Sequence, residues 1–266
     1  MSKPTFTFII LSFNSEKYIH QCLMSINESI EEIEESSEVF VIDNGSIDNS
    51  IEIINSIKFN KNIDFQLIPL AENTGTTYSR NLAFKEAKGE YIVVLDSDAY
   101  INSDALLKLR AYLESNRQCG LAVPKIIYPD GRYQLSADGF PTIFKKIKRF
   151  LYLKEMEQNN VINEITNVDY AISAFWMLPE EVVKNVGLLD EKILYSPEDV
   201  DYCIRIWKEG YKITYLPDCK IIHDAQEISR PKGFRILNFF SFSHIKGLLY
   251  LYIKHKFIFS GKRFSA

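Results

Sequence analysis

The chain has 266 residues, 46% of them hydrophobic and 25% charged, with a formal net charge of −4. That composition excludes a disordered or fibrous chain and supports one large core, or a core with a small subdomain. Four scattered cysteines (Cys22, Cys119, Cys203, Cys219) show no C-x-x-C spacing, which argues for buried thiols in a reducing compartment rather than disulfides or zinc.

The chain passes from Met1 to Pro4 straight into an apolar run. No basic stretch precedes a cleavable apolar one, so no signal peptide is expected and the cytoplasm is the expected compartment. Residues 6–12 predict a strand, and 16–30 a helix with Ile19, Leu23 and Ile26 at helical spacing. A strand at 39–42 ends in Asp43 and leads to a helix near 48–57. A strand at 65–70 is followed by a helix at 76–87, closed by Gly89. The unbroken apolar run from Tyr91 to Leu95 fits a central strand covered on both faces. Such alternation argues for a parallel sheet with helices on both sides. Ligands then sit outside the carboxyl ends of the strands. Polar clusters occupy those ends: Ser12-Phe13-Asn14, Asp43-Asn44-Gly45-Ser46 and Asp96-Ser97-Asp98, with the loop Glu72-Asn73-Thr74-Gly75 beside them.

The second half is less regular. Tyr128-Pro129-Asp130-Gly131 marks a hairpin turn. Residues 145–160 are lysine-rich and read as helical or mobile, and 168–178 as a strand. A helix is expected to run to about Glu209, with Ser196 as N-cap and Pro197 at its first position. Short strands follow at 211–216 and 220–223. Residues 228–266 contain no acidic residue but eight basic ones, including Lys246, Lys254 and Lys256, so the rest of the chain carries −12. Charges interrupt this tail too often for a bilayer span. Its basic and aromatic character suggests a segment lying on an anionic membrane; the alternative is a helix packed on the core with a solvated basic face.

A carboxylate leaving a buried strand is costly unless it is hydrogen-bonded or faces a cation. Asp96 and Asp98 therefore suit Mg2+ or Mn2+ shared with a diphosphate. A solvated turn is the plainer reading, and the second such triplet, Asp199-Val200-Asp201, shows how weak the pattern is alone. Asp43 fits either a turn cap or a hydrogen bond to the imide N–H of uracil or thymine. Arg80 could meet a phosphate or base face, or form a surface ion pair. The macrodipole alone accounts for Glu198 and Asp199 at a helix N-terminus. His223, behind Ile221 and Ile222, has the setting of a satisfied core histidine.

In order and spacing, the segments IILSFNSEKYIHQCLMSI, VIDNGSIDNS, ENTGTTYSRNLAFKEAKGEYIVVLDSDA, YPDGRYQLSADGFP and VGLLDEKILYSPEDVDYCIRIWKEGYKITYLPDCKIIH resemble the family 2 glycosyltransferases, especially their rhamnosyltransferase-like branch. The resemblance runs from Thr7 to His223. It implies the α/β GT-A fold: a mostly parallel central sheet with helices on both faces. The GT-A domain would be 1–227, with a nucleotide-binding half at 1–100 and an acceptor-side half at 101–227. Residues 228–266 would form a C-terminal helical extension. By the same resemblance Ser12, Phe13, Asn14, Asp43, Asn73, Arg80, Asp96 and Ser97 bind the nucleotide-sugar. Asp98 and His223 hold Mn2+ or Mg2+, Asp199 is the general base, and Glu198 and Trp176 border the acceptor.

The implied reaction is inverting transfer of a sugar from dTDP-rhamnose or a UDP-hexose. The acceptor would be a hydroxyl of a glycan or lipid-linked saccharide in cell-surface polysaccharide synthesis. The tail would make peripheral contact with the cytoplasmic face of the plasma membrane, and no nucleic acid is an expected partner. The alternative is an inactive nucleotide-sugar-binding protein of the same fold. Two features depart from the family pattern: Ser173-Ala174 replaces a Gly-Ala pair ahead of bulky Phe175 and Trp176, and the 73–77 loop is poor in glycine. A dinucleotide-dependent oxidoreductase or a sugar nucleotidyltransferase would need a Gly-rich turn after the first strand. LSFNSEKY has no glycine, so both are rejected.

Overall fold

Alternation along β1 (Phe6–Ser12) sends Phe6, Phe8 and Ile10 to one face of a sheet and Ile9 to the other, and all four are fully buried. Each such side chain contributes about 1.5–3 kcal/mol by leaving water. The structure is a computed structural model that describes residues 3–140, 143–225 and 239–256. Strands β2 (Ser37–Asp43), β3 (Ile63–Pro69) and β4 (Tyr91–Asp96) join β1 in the parallel order β3-β2-β1-β4. Next come β5 (Ala99–Tyr100), β6 (Cys119–Ile127), β7 (Ala137–Asp138), β8 (Thr166–Asn167), β9 (Tyr170–Ala171), β10 (Phe175–Pro179) and β11 (Lys212–His223). The sheet continues from β4 through β10, β6 and β11 to β5. In it β10 runs antiparallel to both neighbours, while β6 and β11 are parallel.

Helices α1 (Ile19–Ile33), α2 (Ser50–Ser56) and α4 (Ser103–Ser115) cover one face. The other face carries α3 (Thr76–Glu86), α5 (Ile143–Asn159), α6 (Glu180–Val186), α7 (Glu198–Lys208) and α8 (Phe239–Lys254). This is the expected three-layer α/β arrangement. All four cysteines are buried free thiols. No helix among the described residues is long and apolar enough to cross a membrane.

Several expectations need correction. The strand expected at 168–178 is two, β9 and β10, because Ser173 and Ala174 form a turn between them. The two strands expected at 211–216 and 220–223 are one, β11, whose register against β6 shifts between Leu216 and Lys220. Helix α7 starts at Glu198 rather than Pro197, which occupies the N-cap position without a side-chain bond. Its first turn carries Glu198, Asp199 and Asp201, and Val200 N donates to Asp199 Oδ1 at 2.8 Å in place of a Ser196 cap. The hairpin forms at Tyr128–Arg132, closed by Tyr128 N–H to Arg132 O at 2.8 Å. Of the tail, α8 packs on the core with Leu251 fully buried; residues 226–238 and 257–266 lie outside the described residues.

Candidate active site

Strand register gathers the polar strand ends at one edge. Ser12 pairs with Asp43 across β1 and β2, and Leu11 pairs with Asp96 across β1 and β4. The Asp43 carboxylate is buried and closes its own turn, accepting from Ser46 N (2.9 Å), Ser46 Oγ (2.6 Å) and Ser12 Oγ (3.3 Å). Asn14 has a positive φ of 49° and braces the same turn, its Oδ1 accepting from Ile47 N at 3.0 Å. Phe13 stands exposed at the rim.

Asn44, which sequence reasoning did not single out, is the local hub. Its Nδ2 donates to Asn73 Oδ1 (2.9 Å), and its Oδ1 accepts from Thr74 N (2.8 Å) and Ser79 Oγ (3.0 Å). Asn73 Oδ1 also accepts from Tyr195 OH at 2.6 Å, tying this loop to the second half of the chain.

The β4 strand turns through Ser97 and Asp98 into β5, and β5 pairs with the end of β11 so that Ala99 lies opposite His223. This pairing sets His223 Nε2 3.1 Å from Asp98 Oδ1 and 3.9 Å from Asp96 Oδ2. On its other side His223 Nδ1 meets Gln134 Oε1 at 2.9 Å. Burial opposes a charge on this imidazole, but the hydrogen bond to Asp98 and the charges of Asp98, Asp96 and Asp224 prevail and raise its pKa.

Asp96, Asp98 and His223 each offer one ligand atom, all within 4.8 Å of one another. Two carboxylate oxygens and one imidazole nitrogen fit a divalent ion, and the nitrogen suits Mn2+ better than Mg2+. Gln134 would fix the ring so that Nε2 faces the ion.

Arg80 is 2% exposed and joins the two acidic motifs. It donates to Asp96 Oδ1 (2.6 Å) and Ser173 Oγ (2.8 Å), and its NH1 lies 3.5 Å from Glu198 Oε1. Burial pushes the Asp96 carboxyl up against the opposing pull of Arg80. Burial and then the charge of Asp199 push Glu198 up to about 8. Glu198 is buried and faces inward to Arg80, whereas Asp199, next along the first turn of α7, is half-buried. The arrangement sets three potential ion ligands beside a cationic strut, with one more exposed carboxylate at a helix N-terminus.

The family model for glycosyl transferase family 2 matches residues 7–187. The chain belongs to that family. A similar curated relative is the poly(ribitol-phosphate) beta-N-acetylglucosaminyltransferase TarS of Staphylococcus aureus, 32% identical over 80% of this chain and 34% of its own length. The S. aureus TarS 1–349 structure in complex with UDP-GlcNAc superposes with a TM-score of 0.59 at 23% identity, over 82% of this chain and 58% of that one. The mannosyltransferase PcManGT from Pyrobaculum calidifontis, in complex with GDP-Man and Mn2+, gives 0.59 at 18% identity, over 86% and 59%. These structures share the GT-A fold. The chain spans between 34% and 48% of the length of the curated relatives it matches.

In this member of family 2 the expected residues of the strand ends lie along one edge of the sheet, but Ser12, Asp43 and Arg80 are buried behind that edge and Trp176 is not part of it. Trp176 is 1% exposed, stacks on Tyr202 at 5.6 Å and donates its indole N–H to Ala171 O at 3.1 Å. It belongs to the core and offers no surface to an acceptor. Ser97 sits partly exposed in the turn between Asp96 and Asp98. The residues missed are Asn44, Gln134, Ser173 and Tyr195. All four carried some signal: Asn44, Gln134 and Tyr195 fall within stretches that resemble the family, and Ser173 stands where the chain departs from its pattern.

Proposed function

We propose that this chain is an inverting glycosyltransferase that moves a hexosyl group from a UDP-sugar to a hydroxyl of a cell-surface glycan or its lipid-linked precursor. The observation that carries this reading is the junction of Asp96, Asp98 and His223 with Arg80 and Glu198, beside the more exposed Asp199. Asp199 takes the proton of the acceptor hydroxyl as that oxygen bonds to the anomeric carbon. The bond from that carbon to the diphosphate breaks, and its electron pair leaves with the nucleotide. When bound, the divalent ion supplies positive charge to the leaving diphosphate. Arg80 keeps Asp96 oriented while Glu198 stays inward. Phe13, Asn14 and Asn73 line the nucleotide end, with buried Ser12 and Asp43 shaping the turn behind them.

A UDP donor is favoured over dTDP-rhamnose by the TarS relative and by its complex with UDP-GlcNAc. None of the relatives compared above is described as a rhamnosyltransferase. The outer face of α8 supports a membrane-side location as part of this reading. Exposed Lys246, Leu249 (60%) and Ile253 (71%) share one arc of this helix, and exposed Lys256 lies just beyond its end. That apolar and basic face suits an anionic cytoplasmic leaflet.

The test is Asp199→Asn, assayed with a panel of nucleotide sugars, Mn2+ and a glycan acceptor. The kcat should fall about 10²-fold or more, while the melting shift given by donor with Mn2+ persists. Near-normal turnover would remove Asp199 from the base role.

A further inference from the structure

Helix α8 lies beyond the residues matched by the family model, yet it grips the catalytic half at two points. Its Lys254 Nζ bridges two carboxylates, Asp190 Oδ2 at 2.6 Å and Asp201 Oδ1 at 2.7 Å. Tyr250 OH donates to Asp190 Oδ2 at 2.9 Å. His255, 1% exposed, lies between Asp201 Oδ1 (2.7 Å from Nε2) and Lys208 Nζ (3.0 Å from Nδ1). An ammonium can only donate, so Nδ1 accepts from Lys208 and Nε2–H donates to Asp201.

Both carboxylates sit on segments that lead to the site. Asp201 is on the first turn of α7, which carries Glu198 and Asp199. Asp190 opens a segment that reaches back to the nucleotide half. Along that segment Thr77 Oγ1 donates to Ile193 O (2.8 Å), Thr76 N donates to Leu194 O (2.8 Å), and Tyr195 OH donates to Asn73 Oδ1. The helix also touches the residues that lead into α7, since a Cβ on Gly247 would collide with Ser196 O and lie 3.0 Å from Pro197 Cδ.

We infer that Lys254 is a positioning residue for glycosyl transfer: by bridging Asp190 and Asp201 it sets α7, and with it Asp199, against the nucleotide half. This rests on the transferase reading above. A helix shifted by about 1 Å is enough to cost about 10²-fold in rate, and the donor end of the site stands mainly on the ends of β1, β2 and β4, with Asn73 tied to this segment through Tyr195.

The experiment uses the full chain with Lys254→Met, Lys254→Arg and Gly247→Ala, the last pressing on the same junction by an independent route. Three quantities are read: kcat and donor KM for transfer, melting temperature, and hydrogen exchange by peptide. Lys254→Met and Gly247→Ala should lower kcat about tenfold or more with donor KM within twofold, and Lys254→Arg should restore most of it. Exchange should rise across 189–202 and stay unchanged across β1 to β4. Unchanged exchange across 189–202 overturns the inference whether or not the wild type transfers sugar. So does a kcat that tracks only lost melting temperature, or a kcat and KM that change together. A wild type that turns over no nucleotide sugar sinks the transferase reading and leaves the exchange result to judge the helix contact.

Discussion

Asp201 gives the most quantitative handle on this structure. The residue is 1% exposed, with its carboxylate held by His255, Lys254 and Arg205. Burial pushes its pKa up, but the hydrogen bonds from His255 and Lys254 and the charge of Arg205 bring it down to about 2, against 3.8 for a free side chain. At about 1.4 kcal/mol per pKa unit, the ionised carboxylate contributes about 2 kcal/mol to folding. Because the folded pKa is the lower one, that stability is present above pH 4 and is lost as pH falls through about 2.

Asp201→Asn removes this contribution and also takes the anion from Arg205 and His255, while Lys254 keeps Asp190. Breaking a buried pair typically costs about 3–5 kcal/mol, so the loss at pH 7 should lie between about 2 and 5. Urea unfolding of both proteins from pH 7 to pH 2 is the assay. Other titrating groups, the lowered Asp190 among them, cancel to first order in the difference. The gap between wild type and variant should narrow by about 2 kcal/mol as the solution is acidified. A gap that does not depend on pH, or a variant within about 0.5 kcal/mol of wild type at pH 7, would refute the reasoning.

Glu198 should show the opposite pH dependence: with its carboxyl raised to about 8 from 4.5, wild-type stability falls as pH rises through that interval. Glu198→Gln should abolish that slope, and an unchanged slope in thermal unfolding between pH 5 and 8 would reassign it. Gln134→Leu should weaken Mn2+ binding about tenfold or more, read by calorimetry, because it frees the ring of His223 to turn; unaltered affinity would make Gln134 a bystander. Replacing Leu249 and Ile253 by Glu should release the protein from phosphatidylglycerol vesicles in co-sedimentation while leaving phosphatidylcholine controls unaffected. Unchanged pelleting would return the outer face of α8 to solvent.

Local pattern was sufficient for the first half of the chain. Apolar runs of strand length, separated by helical spacing, announced β1 to β4 and the polar ends beyond them, because hydrophobic periodicity and strand-end polarity are properties of neighbouring residues. The first-turn acids of α7 and the Asp96-Ser97-Asp98 turn were legible for the same reason. Local pattern failed wherever a contact joined distant parts of the chain. Trp176 read as a rim residue until β10 was seen wedged between β4 and β6, where both faces of the strand are covered. Lys254 belonged to a basic tail in the sequence, and only the packing of α8 turned its ammonium onto Asp190 and Asp201. Asp98 and His223 are 125 positions apart, and their meeting depends on two residues of β5 pairing with the end of β11. The residue types of the site were written in the chain, but pairing register decided which of them meet, and register is set by the whole sheet closing its core rather than by any segment alone.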